Sequence, residues 1–165
     1  MKTTIIIALF LSLFTATSFA GVPHRNILHQ TTKTITLDAD FNKVSVAANL
    51  KVVFISNDSK DATIEGNSKF VETINFQILN GTLFISTKSN ITNAKGIIYV
   101  PVKNLAEINL LPGAIISTNG FLNCSYLTVL ISEDSHAEIR NKGNLVFKPA
   151  PDSELDFVRY QSINE

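Results

Sequence analysis

The sequence predicts an all-β protein, and three observations support that class. After the first twenty of its 165 residues, helical periodicity is nearly absent. Short runs rich in β-branched and aromatic residues recur instead, broken by Asn, Asp, Gly, Ser and Pro, which is how strands and turns alternate. From Leu105 onward a strand–turn–strand unit returns about every 20 residues, near the length of one solenoid coil.

The chain opens Met1-Lys2-Thr3-Thr4, and an apolar run from Ile5 to Phe14 follows. The segment ends in Thr15-Ala16-Thr17-Ser18-Phe19-Ala20. One positive charge, a short apolar stretch and small residues at Ser18 and Ala20 make residues 1–20 a secretory signal with cleavage after Ala20. The run is shorter than the roughly 20 residues that span a bilayer. The mature chain is therefore expected to have no integral membrane segment. It also has no cysteine near the cleavage site to take a lipid.

Residues 21–32 are expected to be a flexible leader, 33–158 one all-β domain, and 159–165 a frayed tail. Within the domain, strands are expected at Lys33–Leu37, Phe41–Val46, Leu50–Ser56, Ala62–Glu65, Ile74–Leu79, Thr82–Thr87 and Ile97–Val102. They continue at Glu107–Leu110, Ala114–Ser117, Leu127–Ile131, Ala137–Arg140, Leu145–Lys148 and Leu155–Val158. Asn80-Gly81 is the preferred pair for a two-residue type I′ turn, since both residues tolerate positive φ. Folding there sets Ile78 opposite Leu83 and Phe76 opposite Ile85, with all four on one face.

The recurring units place Leu105–Leu110 before Pro112-Gly113-Ala114, Leu127–Ile131 before Glu133-Asp134-Ser135, and Leu145–Lys148 before Pro151-Asp152-Ser153. Each unit needs stacked neighbours to cover its apolar face, as in a solenoid. An antiparallel β-sandwich or meander, also built of short evenly spaced strands, is the alternative.

Composition excludes several classes of function. Without the signal lysine, thirteen basic residues face fourteen acidic ones. Such a near-neutral chain lacks the charge that nucleic acid or an anionic membrane selects. The single cysteine, Cys124, rules out an intramolecular disulfide. No base flanks it, so it is expected to be a small buried hydrophobe.

The residues that could carry chemistry have plainer readings. His24 and His29 lie in the leader without a third ligand. Asp134-Ser135-His136 are adjacent and cannot converge as a triad, whereas Asp and Ser suit a turn. Glycoside hydrolysis needs two carboxyls held about 5 to 9.5 Å apart. The candidates are Asp134, Glu138, Asp152, Glu154 and Asp156. The last three alternate with Ser153, Leu155 and Phe157, as on the wet face of a strand. The chain has no tryptophan to stack on a sugar. Asn57-Asp58-Ser59, Asn80-Gly81-Thr82, Asn90-Ile91-Thr92 and Asn123-Cys124-Ser125 match the glycosylation sequon by chance composition. No catalytic residue, cofactor site or metal site is expected.

The strand pattern resembles the bacterial family of putative auto-transporter adhesin, head GIN domain proteins. The likeness runs from about Phe41 to Phe157. It is carried by Phe41-Asn42-Lys43-Val44-Ser45-Val46, Val52-Val53-Phe54-Ile55 and Ile64-Glu65-Gly66. It continues in Asn80-Gly81-Thr82-Leu83-Phe84-Ile85-Ser86 and Ile98-Tyr99-Val100-Pro101-Val102-Lys103-Asn104-Leu105. The resemblance implies an envelope protein of Bacteroidetes-like bacteria, with β-hairpins leading into a right-handed parallel β-helix-like stack. Family members often carry a glycine at the turn after each coil strand. Gly113 keeps it, while Asp134 and Asp152 stand near the later positions.

The expectation is an exported cell-envelope interaction or adhesion-like module without catalysis, periplasmic or at the cell surface. Its partner would be a protein or glycan of the envelope, and exposed sheet edges leave self-association open. A polysaccharide-acting β-helix enzyme, lyase or glycoside hydrolase, is the alternative.

Overall fold

The computed structural model describes residues 30–88 and 95–151. Strands β1 to β4 span Thr31–Thr36, Lys43–Val46, Lys51–Ser56 and Asp61–Gly66. A short helix, α1, spans Ser68–Thr73. Strands β5 to β8 span Ile74–Leu79, Thr82–Thr87, Gly96–Val102 and Glu107–Leu110. Strands β9 to β12 span Ile115–Asn119, Tyr126–Ile131, His136–Glu138 and Asn144–Pro149. The expected signal and the strand expected at Leu155–Val158 lie outside the described residues. β1 begins at Thr31, so Thr31 and Thr32 belong to a sheet rather than to a leader ending at residue 32.

The strands form two six-stranded sheets. The first runs β1-β4-β7-β3-β9-β11 and the second β12-β10-β8-β2-β6-β5. Period-two alternation gives each an apolar inner face. Val44, Val46, Leu83, Ile85, Ile108, Leu110, Leu127 and Val129 point inward from the second sheet, each at most 1% exposed. Val52, Phe54, Ala62, Ile64, Ile98, Val100 and Ile116, all 0% exposed, come from the first. With no disulfide available, this interleaved core is the main source of stability.

The chain crosses between sheets at tight corners. β2 to β3, β8 to β9 and β10 to β11 each cross through a four-residue turn whose third residue has positive φ: Asn49 at 60°, Gly113 at 73° and Asp134 at 55°. The Ala114 amide donates to the Leu111 carbonyl at 3.0 Å and the Ser135 amide to Ser132 at 3.2 Å, closing two of these turns. The corners also bond to one another, Leu111 to the Val46 carbonyl at 3.0 Å and Gly113 to the Glu133 carbonyl at 3.1 Å.

Seven of the ten strand pairs are parallel and three antiparallel. Stacking in chain order holds from β8 through β10 to β12, with Ile108 opposite Val129 and Val129 opposite Phe147. This is the recurrence of about 20 residues seen in the sequence. It does not extend to the whole chain, because β2 sits between β6 and β8. The sheets are mixed and open. The all-β class stands, in two layers whose arrangement is sandwich-like, although most strand pairs are parallel rather than antiparallel as that alternative had them. The Asn80-Gly81 hairpin agrees with its expected register, Ile78 opposite Leu83 and Phe76 opposite Ile85. Both turn residues have positive φ, 49° and 75°.

Helix α1 had no counterpart in the sequence reading, because six residues are too few to show a 3.6 period. Its visible signal is Asn67, whose side-chain oxygen accepts from the Phe70 amide at 2.8 Å as an N-cap. The helix drops Phe70 and Val71 into the end of the core. The Phe70 ring fills the space where Gly66 and Gly96 lack a Cβ.

The two sheets are offset by one strand. Counted outward from the β2–β3 corner, the first sheet reaches β1, one strand beyond the level of β5. At the other end the second sheet reaches β12, one strand beyond the level of β11.

Candidate functional site

A cleft of about 590 Å³ opens where loops from both sheets meet. It lies between the β1–β2 loop, the β3–β4 loop, the β5–β6 turn and the β7–β8 connection. Its size falls in the ordinary range for ligand pockets. Leu37 and Pro101 are buried at its base and Phe41 is half-buried, packed against the core. The walls are polar: Asp40, Asn42, Asn57, Asp58, Ser59, Lys60, Lys103 and Asn104.

Local hydrogen bonds hold the walls. The side-chain oxygen of Asn57 accepts from the Ser59 amide at 3.2 Å, and the Ser59 hydroxyl oxygen accepts from the Asp61 amide at 3.0 Å. These are Asx- and Ser-type turns, which short polar side chains favour at strand ends. The Leu37 amide donates to the Lys60 carbonyl at 2.7 Å, joining two of the loops. The amides of Asn42 and Lys43 both donate to the Gly81 carbonyl, at 3.0 and 3.2 Å, tying the hairpin turn to the start of β2.

The charges in the cleft pair off. Lys60 Nζ stands 3.5 Å from Asp40 Oδ1, and Lys103 Nζ 3.0 Å from Asp58 Oδ1. The side chains of Asp40 and Asp58 are 99% and 79% exposed. Such solvated pairs add little stability, about 0 to 1 kcal/mol. Their consequence is that two carboxylates and two ammonium groups leave the cleft without net charge.

The residues singled out in the sequence do not gather here. Asp134 occupies its corner turn, and the Ser135 hydroxyl donates to the Ser132 carbonyl at 2.6 Å. His136 is exposed on the edge strand β11. Asp134 and Ser135 thus belong to a corner turn and His136 opens the strand that follows it. Glu138 is exposed and stands 4.0 Å from Arg140. His24, His29, Asp152, Glu154 and Asp156 lie outside the described residues. Among the described residues, no three His, Cys, Asp or Glu side chains lie close enough to hold a metal ion.

Cys124 is buried, and its sulfur accepts the Leu105 amide at 3.3 Å. Its own amide donates to the Asn141 side-chain oxygen at 3.0 Å, and the Asn141 nitrogen donates back to the Cys124 carbonyl at 2.9 Å. Cys124 and Asn141 thus tie together the β7–β8, β9–β10 and β11–β12 connections, which is a structural role.

The cleft residues were visible in the sequence only as strand breaks. Asn57-Asp58-Ser59 stood out as a sequon and proves to be a wall. Their convergence depends on β1, β4 and β7 being neighbours, which no local pattern encodes.

Fold and site together define an all-β module of two open mixed sheets, with a polar loop cleft and no assembled catalytic group among the described residues. The family described as Putative auto-transporter adhesin, head GIN domain, matches residues 40–148, and the chain belongs to it. Among solved structures, the fold is similar to a putative adhesin from Bacteroides fragilis NCTC 9343. The TM-score is 0.60 at 18% identity, covering 72% of this chain and 55% of that one. A putative adhesin from Parabacteroides merdae ATCC 43184 gives 0.54 at 18% identity, with the same 72% and 55% coverage. One from Parabacteroides distasonis ATCC 8503 gives 0.50 at 14%, covering 72% and 65%. At these identities the likeness concerns the fold. The chain spans little more than half the length of the first two. No curated protein matches it. No helix among the described residues is long and apolar enough to cross a membrane.

Proposed function

We propose that the chain is an exported, non-catalytic recognition module of the cell envelope, adhesin-like in action, working in the periplasm or at the cell surface. It engages a protein or glycan partner through the loop cleft, and the stretch from β8 to β12 serves as a β-helix-like support. The observation that carries this reading is the cleft itself: about 590 Å³ of polar, charge-balanced surface on rigid strand ends. Loops positioned by a stiff sheet are where binding residues concentrate. Membership of a family named for adhesion supports the same reading, as do the signal-like residues 1–20.

A glycosidase needs one carboxyl protonated and poised in a dry site. Asp40 and Asp58 are solvated and each sits beside a lysine. The polysaccharide-cleaving alternative therefore draws no support from the cleft.

The test is binding of the purified, fluorescently labelled protein to bacterial envelope fractions, beside an Asn104→Ala variant. Saturable binding that weakens at least tenfold in the variant is expected. Absence of binding to every fraction, or equal binding by both proteins, overturns the proposal.

A further inference from the structure

We infer that the occupant of the loop cleft is a neutral oligosaccharide, an inference that rests on the cleft being the recognition site. Charge comes first. Both acids in the cleft are matched by lysines at 3.5 and 3.0 Å. No field of one sign remains to draw in a phosphate, a uronate or a polycation. A charged ligand would also meet a group of its own sign wherever it settled.

Hydrogen-bonding capacity comes second. Asn42 and Asn104 are exposed, and no side-chain hydrogen bond engages either amide among the described residues. Asn57 spends its oxygen on Ser59 and keeps its NH₂ donors. An amide offers two donors and two acceptor lone pairs from one planar group. Adjacent sugar hydroxyls, each both donor and acceptor, complement that set, whereas an aliphatic ligand would leave these amides unpaired at a cost.

The third observation is the apolar patch among these groups. Phe41, half-buried and fixed against the core, lies with Leu37 and Pro101. The face of an aromatic ring suits the C–H face of a pyranose, whose polar groups then turn outward to the amides. Phe41 thus supplies the stacking surface that the missing tryptophan would otherwise offer.

The experiment uses the full chain on an array of neutral glucans, mannans and galactans beside uronate- and sulfate-bearing oligosaccharides. Neutral probes are expected to bind. Affinity should fall at least tenfold in Asn104→Ala and in Phe41→Leu, with thermal unfolding showing both variants folded. Affinity should also be unchanged between about 50 and about 500 mM NaCl, since a neutral ligand makes no charge–charge contact with the cleft for salt to screen. Binding confined to charged probes, a salt-dependent affinity, or a blank array overturns the inference. Periodate treatment of the envelope fractions separates this failure from that of the parent reading. Binding that survives periodate but not protease retires the glycan and leaves the recognition module standing. Loss of binding after periodate supports the glycan, whereas absence of binding to untreated fractions retires both.

Discussion

The side-chain oxygen of Asn49 stands 2.6 Å from the point where a Cβ on Gly113 would lie. The two residues occupy equivalent places in stacked corners, each with positive φ. Alanine at Gly113 would meet both obstacles at once, a left-handed backbone and the side chain of the neighbouring corner. Gly113→Ala should destabilise by about 1 to 3 kcal/mol. Asp134→Gly, at a corner of the same kind, should shift stability by less than about 1 kcal/mol, since relieved strain offsets added chain entropy. Urea midpoints of the two variants check the contrast. Equal midpoints would mean that the corners do not confine the chain as described.

Phe54 is fully buried at the centre of the first sheet. Truncation to alanine should cost about 3 to 5 kcal/mol. That is a large share of a typical stability of about 5 to 15 kcal/mol, and no disulfide limits the unfolded chain. Loss of the cooperative thermal transition, or its shift far downward, is the expected readout.

Asn141 substitutes for strand pairing beside Cys124, meeting both its amide and its carbonyl. Asn141→Ala leaves those groups without partners, for a cost of about 1 to 3 kcal/mol. Cys124 is only 3% exposed, so a thiol reagent should label it slowly in the native chain and rapidly in denaturant. In Asn141→Ala the native labelling should accelerate, because the corner that covers the sulfur loosens.

Lys33 pairs with Ile64 and so shares the core-side face of the first sheet. It stands on the overhanging strand, where no strand of the second sheet lies across from it. An inward-pointing charge of this kind discourages a further strand from adding there. The neighbouring edge β5 has no charge or proline in its six residues, whereas β12 carries Lys148 and Pro149 and β11 is three residues long. Lys33→Val should therefore produce concentration-dependent association by light scattering, with the unmodified chain less associated at the same concentration. A variant no more associated than the parent would show that this charge does not guard the edge.

The sequence by itself determined where the strands lie and which way their side chains point. Alternating Val, Ile, Leu and Phe against polar partners is a local property, and so is the paired positive φ that Asn80-Gly81 accepts. The Asp134 turn was equally local. Asn49, the matching corner, has no such mark, because Ala47-Ala48-Asn49 contains no Gly, Pro or Asp to signal a turn. Only the tertiary structure decided which strands pair. The inner faces of β2, β6, β8 and β10 all present branched aliphatic residues, so the pattern gives each strand several acceptable neighbours. Placing β2 between β6 and β8 depends on contacts between residues far apart in the chain, such as Val44 with Leu83 on one side and Ile108 on the other. Equally distant pairings of β1 with β4, β4 with β7 and β7 with β3 bring the loops at 37–42, 57–60 and 101–104 together, so the cleft exists only once those strands have found their neighbours.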